Sequence, residues 1–186
     1  MTTRPEPLRF TADGFIAWAM DQPRGRFELA DGVVVAMAPE RAGHARVKLA
    51  AVNALAAGLK AGNLPCEAFT DGMAVRIDDA TVYEPDALVR CGPATPDDMV
   101  VLSDPVVVVE VISPSSRGID SGAKLAGYFR LPSLVHYLVI DGVARAVTHH
   151  RRDAEGAIAT RILRDGALEL DPPGLRIAVS ELFPVP

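Results

Sequence analysis

Apolar runs broken by turn residues alternate along this chain with stretches whose apolar positions recur every three to four residues, so strands and helices are both expected. Thr11 caps a predicted helix through Ala19, with Phe15, Ile16 and Ala19 facing inward. R-F-E-L-A and V-V-V-A-M flank Asp31-Gly32, a short-turn signal, and predict a hairpin carrying Glu28 in its first arm. From His44 to Ala61 the pattern becomes helical, with His44, Val47, Ala51, Ala54, Leu55 and Gly58 on one face, and Gly62-Asn63 ends it. Short strands are expected at Cys66–Thr70, Met73–Ile77 and Asp86–Val89, then an irregular loop from Cys91 to Pro105. A strand at Val106–Ile112, a break at S-P-S-S, a helix over Ser121–Arg130 and a strand at Val135–Ile140 follow. Asp141-Gly142 turns the chain into Ala144–His149, and a strand at Ile158–Leu163 and a short helix at Val179–Phe183 complete the pattern. This is an α/β arrangement: a mixed sheet flanked by helices, with added hairpins toward both ends, expected as one domain over residues 1–186.

One position breaks the pattern. V-V-V-V-E-V-I has the composition of a strand buried on both faces, yet its fifth residue is Glu110. An unpaired carboxylate there costs several kcal/mol, so it must be neutralised, paired or bound to a cation. Lys124 on the next helix, Asp86 on an upstream strand, and a divalent metal joining the two acids are the available partners. A Glu110–Lys124 ion pair needs only one acid. Two acids converging near one lysine suit a magnesium ion, which takes carboxylates, water and phosphate, and the Val111 carbonyl is a further oxygen ligand. Asp120, Lys124 and Tyr128 recur at i, i+4 and i+8 and share a helix face, where Tyr128 is read as packing.

Composition narrows the function. Hydrophobic residues make up 49% and charged residues 23%, which describes a folded, soluble protein. No run of about 18 apolar residues occurs and the opening M-T-T-R-P-E-P-L-R-F lacks a secretory core, so no membrane segment and a cytoplasmic location are expected. Cys66 and Cys91 lack C-x-x-C or nearby His spacing, and are expected as reduced thiols. Through Ser116 there are 10 basic against 16 acidic residues, and after it 9 against 8, so no basic nucleic-acid arm exists. Binding to a polyanion would have to rely on a local site or a bound cation.

Pro85-Asp86, E-V-I-S-P-S-S, D-x-x-x-K-x-x-x-Y and H-Y-L-V-I-D, preceded by F-E-L-A-D-G-V-V-V-A-M and His44, together resemble the Uma-two family of restriction-endonuclease-like proteins in the PD-(D/E)XK nuclease superfamily. The likeness spans nearly the whole chain. It implies a restriction-endonuclease-like fold and a metal-dependent phosphodiesterase site. Asp86 and Glu110 would be Mg2+ ligands, with Mn2+ as a substitute and the Val111 carbonyl nearby. The superfamily lysine stands two residues after the glutamate, where this chain has Ile112, and the resemblance moves that role to Lys124. The family's Glu-Tyr-Trp is His136-Tyr137-Leu138 here, a departure that concerns packing.

The implied reaction is in-line hydrolysis of a phosphodiester, with DNA as the expected substrate and Lys124 orienting the attacking water or stabilising developing charge. Glu28 either reaches the same metal, holds a second one, or is an outward acid on its hairpin. His44 either touches a phosphate or is structural. His149-His150-Arg151-Arg152 is read as a solvated turn at a strand end, the alternative being a contact to a substrate backbone. Ser113 and Ser115-Ser116 lack the setting of a hydrolase nucleophile. The competing reading is a non-catalytic nucleic-acid or protein-interaction domain that keeps the acids and lysine as a buried polar network. A homodimer is expected, and suits either reading.

Overall fold

Thr11 starts the first helix as predicted: its hydroxyl accepts the Gly14 N–H at 3.2 Å, and α1 (Ala12–Met20) follows. The computed structural model describes residues 9–112 and 120–184, apart from the side chains of Asp120 and Ser121. The predicted hairpin forms from β1 (Phe27–Ala30) and β2 (Val33–Ala36). Asp31 and Gly32 both take positive φ, 49° and 80°, the conformation a two-residue turn between twisted strands requires. Helix α2 (Ala42–Ala61) buries Val47, Ala51, Leu55 and Leu59.

Strands β3 (Cys66–Thr70), β4 (Ala74–Asp78), β5 (Thr81–Tyr83), β6 (Ala87–Cys91) and β7 (Val101–Leu102) lead into β8 (Pro105–Ile112). After β8 come α3 (Asp120–Tyr128), β9 (His136–Asp141), β10 (Ala146–Arg152) and β11 (Ile158–Leu163). The chain closes with the ribbon β12 (Ala167–Leu170) and β13 (Leu175–Ala178) and a 3-10 turn, Val179–Leu182. The central sheet runs β11-β10-β9-β8-β6-β3, a second sheet β2-β1-β5-β4-β7, and β12 pairs with β13 alone. β8 and β9 are parallel, and the chain between them contains α3. This is the mixed α/β architecture expected from the sequence, a mixed central sheet with helices packed against it.

The two faces of β8 explain its composition. Val107, Val109 and Val111 pack with α2 and the β12–β13 ribbon, while Val108 points oppositely, into a cluster with Val75, Tyr83, Leu102, Tyr128 and Tyr137. Glu110 shares the Val108 face by alternation, and so points toward α3 and the second sheet.

Three expectations change. Cys66 and Cys91 stand opposite each other in the β3–β6 register and form a disulfide instead of two reduced thiols. Antiparallel pairing, invisible in their spacing, brought them together. The His149–Arg152 cluster is not a solvated turn: β10 continues through Arg152, pairs on both sides, and turns His149 inward at 6% exposure. Strands β5, β12 and β13 escaped the pattern, and β7 interrupts the loop expected from Cys91 to Pro105, because two to four residues carry too few alternations to register. Ser113, Ser115 and Ser116 lie outside the described residues.

Candidate functional site

Asp86 enters β6 immediately after Pro85, and its N–H donates to the Val109 carbonyl at 3.0 Å. Because Ala87 pairs with Val109, Asp86 and Glu110 are neighbours across the β6–β8 ladder. Asp86 is 5% exposed. It accepts the Val111 N–H at 2.6 Å and the Lys48 ammonium at 2.9 Å. His44 Nε2 lies 3.6 Å away, just beyond hydrogen-bond reach. The N–H and C=O of one strand residue point the same way, so the Val111 carbonyl is directed to the Asp86 side as well.

Glu110 is held from α3. Lys124 Nζ and the Tyr128 hydroxyl both donate to its Oε1, at 2.9 Å and 2.7 Å. Among the described residues nothing bonds Oε2. The same ammonium donates to Glu28 Oε1 at 2.9 Å and sits 5.6 Å from the centre of the Tyr83 ring. Glu28 also accepts the Glu84 N–H at 2.8 Å, which ties the first hairpin to the start of the Asp86 segment. The helix can come this close because residue 127 is glycine: a Cβ there would stand 2.7 Å from the Tyr83 ring.

A second ammonium organises the other side. Lys48, 5% exposed, bonds Glu40, Asp71 and Asp86 together. Arg26 adds contacts to Glu40, Asp71 and Glu84. Glu40, His44 and Asp86 offer ligand atoms mutually within 4.8 Å, a spacing that could hold a cation. Lys48 already bonds two of the three.

Charge is unevenly balanced over these groups. Burial pushes the Glu110 carboxyl up, Lys124 pulls it down, and the charges of Asp86 and Glu28 push it up again, leaving it at about 7. Burial also works against ionised Asp86, but His44, Lys48 and the Val111 N–H outweigh it and hold Asp86 below its usual range. Burial disfavours charged Lys124, yet Glu110 and Glu28 prevail and raise its pKa far above normal, so it stays an ammonium. Lys48 behaves alike, burial being outweighed by Asp71, Glu40 and Asp86. Contact with Asp86 raises His44 against the opposing effect of burial.

The structure thus gathers Glu28, Asp86, Glu110, Lys124, Val111 and His44. Their pairing differs from the expectation of two acids beside one lysine: Lys124 bridges Glu110 and Glu28, whereas Asp86 belongs to Lys48. Glu28 is 7% exposed and faces inward, not outward. Tyr128 packs, as expected, and also bonds Glu110. The Asp120 side chain lies outside the described ones. The sequence reading missed Lys48, Glu40 and Asp71. Lys48 had a signal, since it follows His44 at i+4 and both reach Asp86.

Among known proteins, the model of the family Uma2, described as "Putative restriction endonuclease", matches residues 12–182. Two uncharacterized proteins of the cyanobacterium Synechocystis sp. are similar. One is 25% identical over 177 residues, covering 94% of this chain and 92% of its own. The other is 27% identical over 135 residues, covering 71% and 75%. A crystal structure described as a putative nuclease from Anabaena variabilis superposes with a TM-score of 0.74 at 15% identity, covering 93% of this chain and 97% of that one. At that identity the likeness speaks for the fold.

Proposed function

Because the chain belongs to the Uma2 family of putative restriction endonucleases, we propose that it is a divalent-metal-dependent endonuclease hydrolysing phosphodiester bonds, with DNA as substrate. The observation that carries this reading is the convergence of Asp86 and Glu110 across the β6–β8 ladder, in a cluster where six carboxylates, Glu28, Glu40, Asp71, Glu84, Asp86 and Glu110, share three cations, Lys48, Lys124 and Arg26. Even with Lys124 bonded to it, Glu110 is held at about 7 by burial and its acidic neighbours. A hard divalent cation relieves that excess, and an all-oxygen set fits Mg2+ or Mn2+.

In this reading Asp86, Glu110 and the Val111 carbonyl would hold the ion. When bound, it would polarise a phosphoryl oxygen and lower the pKa of a coordinated water. The protein's own groups do the rest. Lys48 and the Val111 N–H fix the Asp86 carboxylate, and Tyr128 and Lys124 fix that of Glu110. Lys124, kept charged by two carboxylates, acts as a donor that orients water and stabilises negative charge on the phosphoryl group, not as a base. Glu28 positions Lys124 through its 2.9 Å bond.

The competing reading, a non-catalytic domain, draws on the fact that Lys48 and Lys124 already give Asp86 and Glu110 cationic partners. Calorimetry with Mg2+ and Mn2+ on wild type and Asp86→Ala, followed by cleavage of single- and double-stranded DNA, separates the two. Metal binding lost in the variant, together with wild-type cleavage, is the expected result. Failure of the wild type to bind either ion at millimolar concentration would leave a buried ion-pair network. Sedimentation of the same samples tests the homodimer.

A further inference from the structure

A groove of about 520 Å3 opens between the first turn of α2 and the ends of β8 and β9, and its lining joins the acidic cluster through His44 and Val111. Its charge is opposite to that of the chain as a whole, which carries −5. Arg41 and Arg46 line it, both exposed and neither in an ion pair among the described residues. Glu40, the acid on the lining, is already bonded to Arg26 and Lys48. The rest of the lining is largely apolar, with Val47 and Val111 at its base and Val143, 72% exposed, standing at the tip of the β9–β10 turn. Asp141 accepts the Val143 and Ala144 N–H groups at 3.0 Å and 2.8 Å, which holds that tip in place.

Cations beside an apolar lining match a phosphate chain with bases turned aside, not the uniform anionic face of a duplex. The volume lies within the range of about 300–1,000 Å3 for small-molecule clefts, room for about one or two nucleotides. We propose that this groove seats an unpaired stretch of nucleic acid beside the scissile phosphate, so that single strands, or single-stranded tails on a duplex, are the preferred substrate. Arg41 and Arg46 contact the phosphates, and Val143 contacts a base. The inference rests on the phosphodiesterase reading of the adjoining acids, which it deepens.

Binding without cleavage tests it. Dye-labelled dT and rU oligomers of about ten nucleotides and a DNA duplex of equal length are titrated by anisotropy in chelator. The substrates are offered to wild type, Arg41→Ala/Arg46→Ala and Val143→Asp, with circular dichroism confirming the fold. Wild type should bind single strands at least about tenfold tighter than duplex. The double arginine variant should lose that preference and show a salt slope shallower by about 1.4, while Val143→Asp weakens single-strand binding too. The dT and rU arms identify whether DNA or RNA fills the groove. Equal or tighter duplex binding, no wild-type binding, or single-strand binding indifferent to the arginines overturns the proposal. If the arginines prove indifferent while Asp86→Ala abolishes cleavage, the groove fails and the nuclease stands. Arginine-dependent single-strand binding without metal binding or cleavage would mean the opposite, a groove that binds nucleic acid on a protein that does not cut it.

Discussion

Replacing Glu110 by glutamine should make the protein more stable, and increasingly so as the pH rises. Glutamine keeps the shape and an acceptor for Lys124 and Tyr128 but cannot ionise. The wild-type carboxyl, buried and facing Asp86 and Glu28, titrates near 7 instead of its ordinary 4.5. The folded state therefore binds more protons than the unfolded chain between those values, and its stability falls as pH rises through that window. At about 1.4 kcal/mol for each pH unit, the difference between Glu110→Gln and wild type should grow by about 3 kcal/mol from pH 4.5 to above 7. Urea unfolding of both proteins in chelator, followed by circular dichroism across that range, measures it directly. Taking the difference matters because other groups titrate in the same interval and cancel. Adding Mg2+ at high pH should then narrow the gap, since the ion stabilises only the protein that retains the carboxylate. A difference that stays constant to within about 0.5 kcal/mol over the pH range would refute the reasoning, because Glu110 would then be an ordinary, fully compensated acid.

Other expectations follow from the same geometry. Asp86→Ala should abolish metal binding and cleavage and cost about 1–2 kcal/mol in metal-free unfolding, because it removes a carboxylate held in its ionised form while Lys48 keeps Glu40 and Asp71. Lys48→Met should cost more, about 3 kcal/mol, since it leaves three carboxylates without their shared ammonium; a melting temperature equal to wild type would contradict this. Buried His136 and His149 share a 2.9 Å nitrogen–nitrogen contact, and burial first, then neighbouring cations, lowers both to about 4. The unfolded chain binds more protons between 4 and 6.5, so this pair should remove about 3 kcal/mol per protonated ring as pH falls through that range, with imidazole NMR signals unchanged until near pH 4. Reduction of the Cys66–Cys91 bridge, which closes a sequence separation of 25, should lower stability by about 3 kcal/mol in a thermal melt with and without reductant.

Much of this protein was legible in the chain alone. Asp31-Gly32 announced its hairpin, Thr11 its helix, and the valine run its buried strand, because turn chemistry, capping and periodicity are local properties of a few neighbouring residues. Glu110 announced itself by cost, since a carboxylate in such a strand demands a partner, and helical spacing put Lys124 and Tyr128 on one face toward it. Tertiary structure decided what distance in sequence conceals. Strand register set Cys66 opposite Cys91 and Asp86 beside Glu110, and it carried His149 into the interior. The packing of α2 brought Lys48, a residue with the look of a solvated surface lysine, to Asp86, and left Lys124 to join Glu110 with Glu28 from the first hairpin. Which cation neutralises which acid is settled by Coulomb energies over a few ångströms, and those distances exist only once the sheet and its helices have packed.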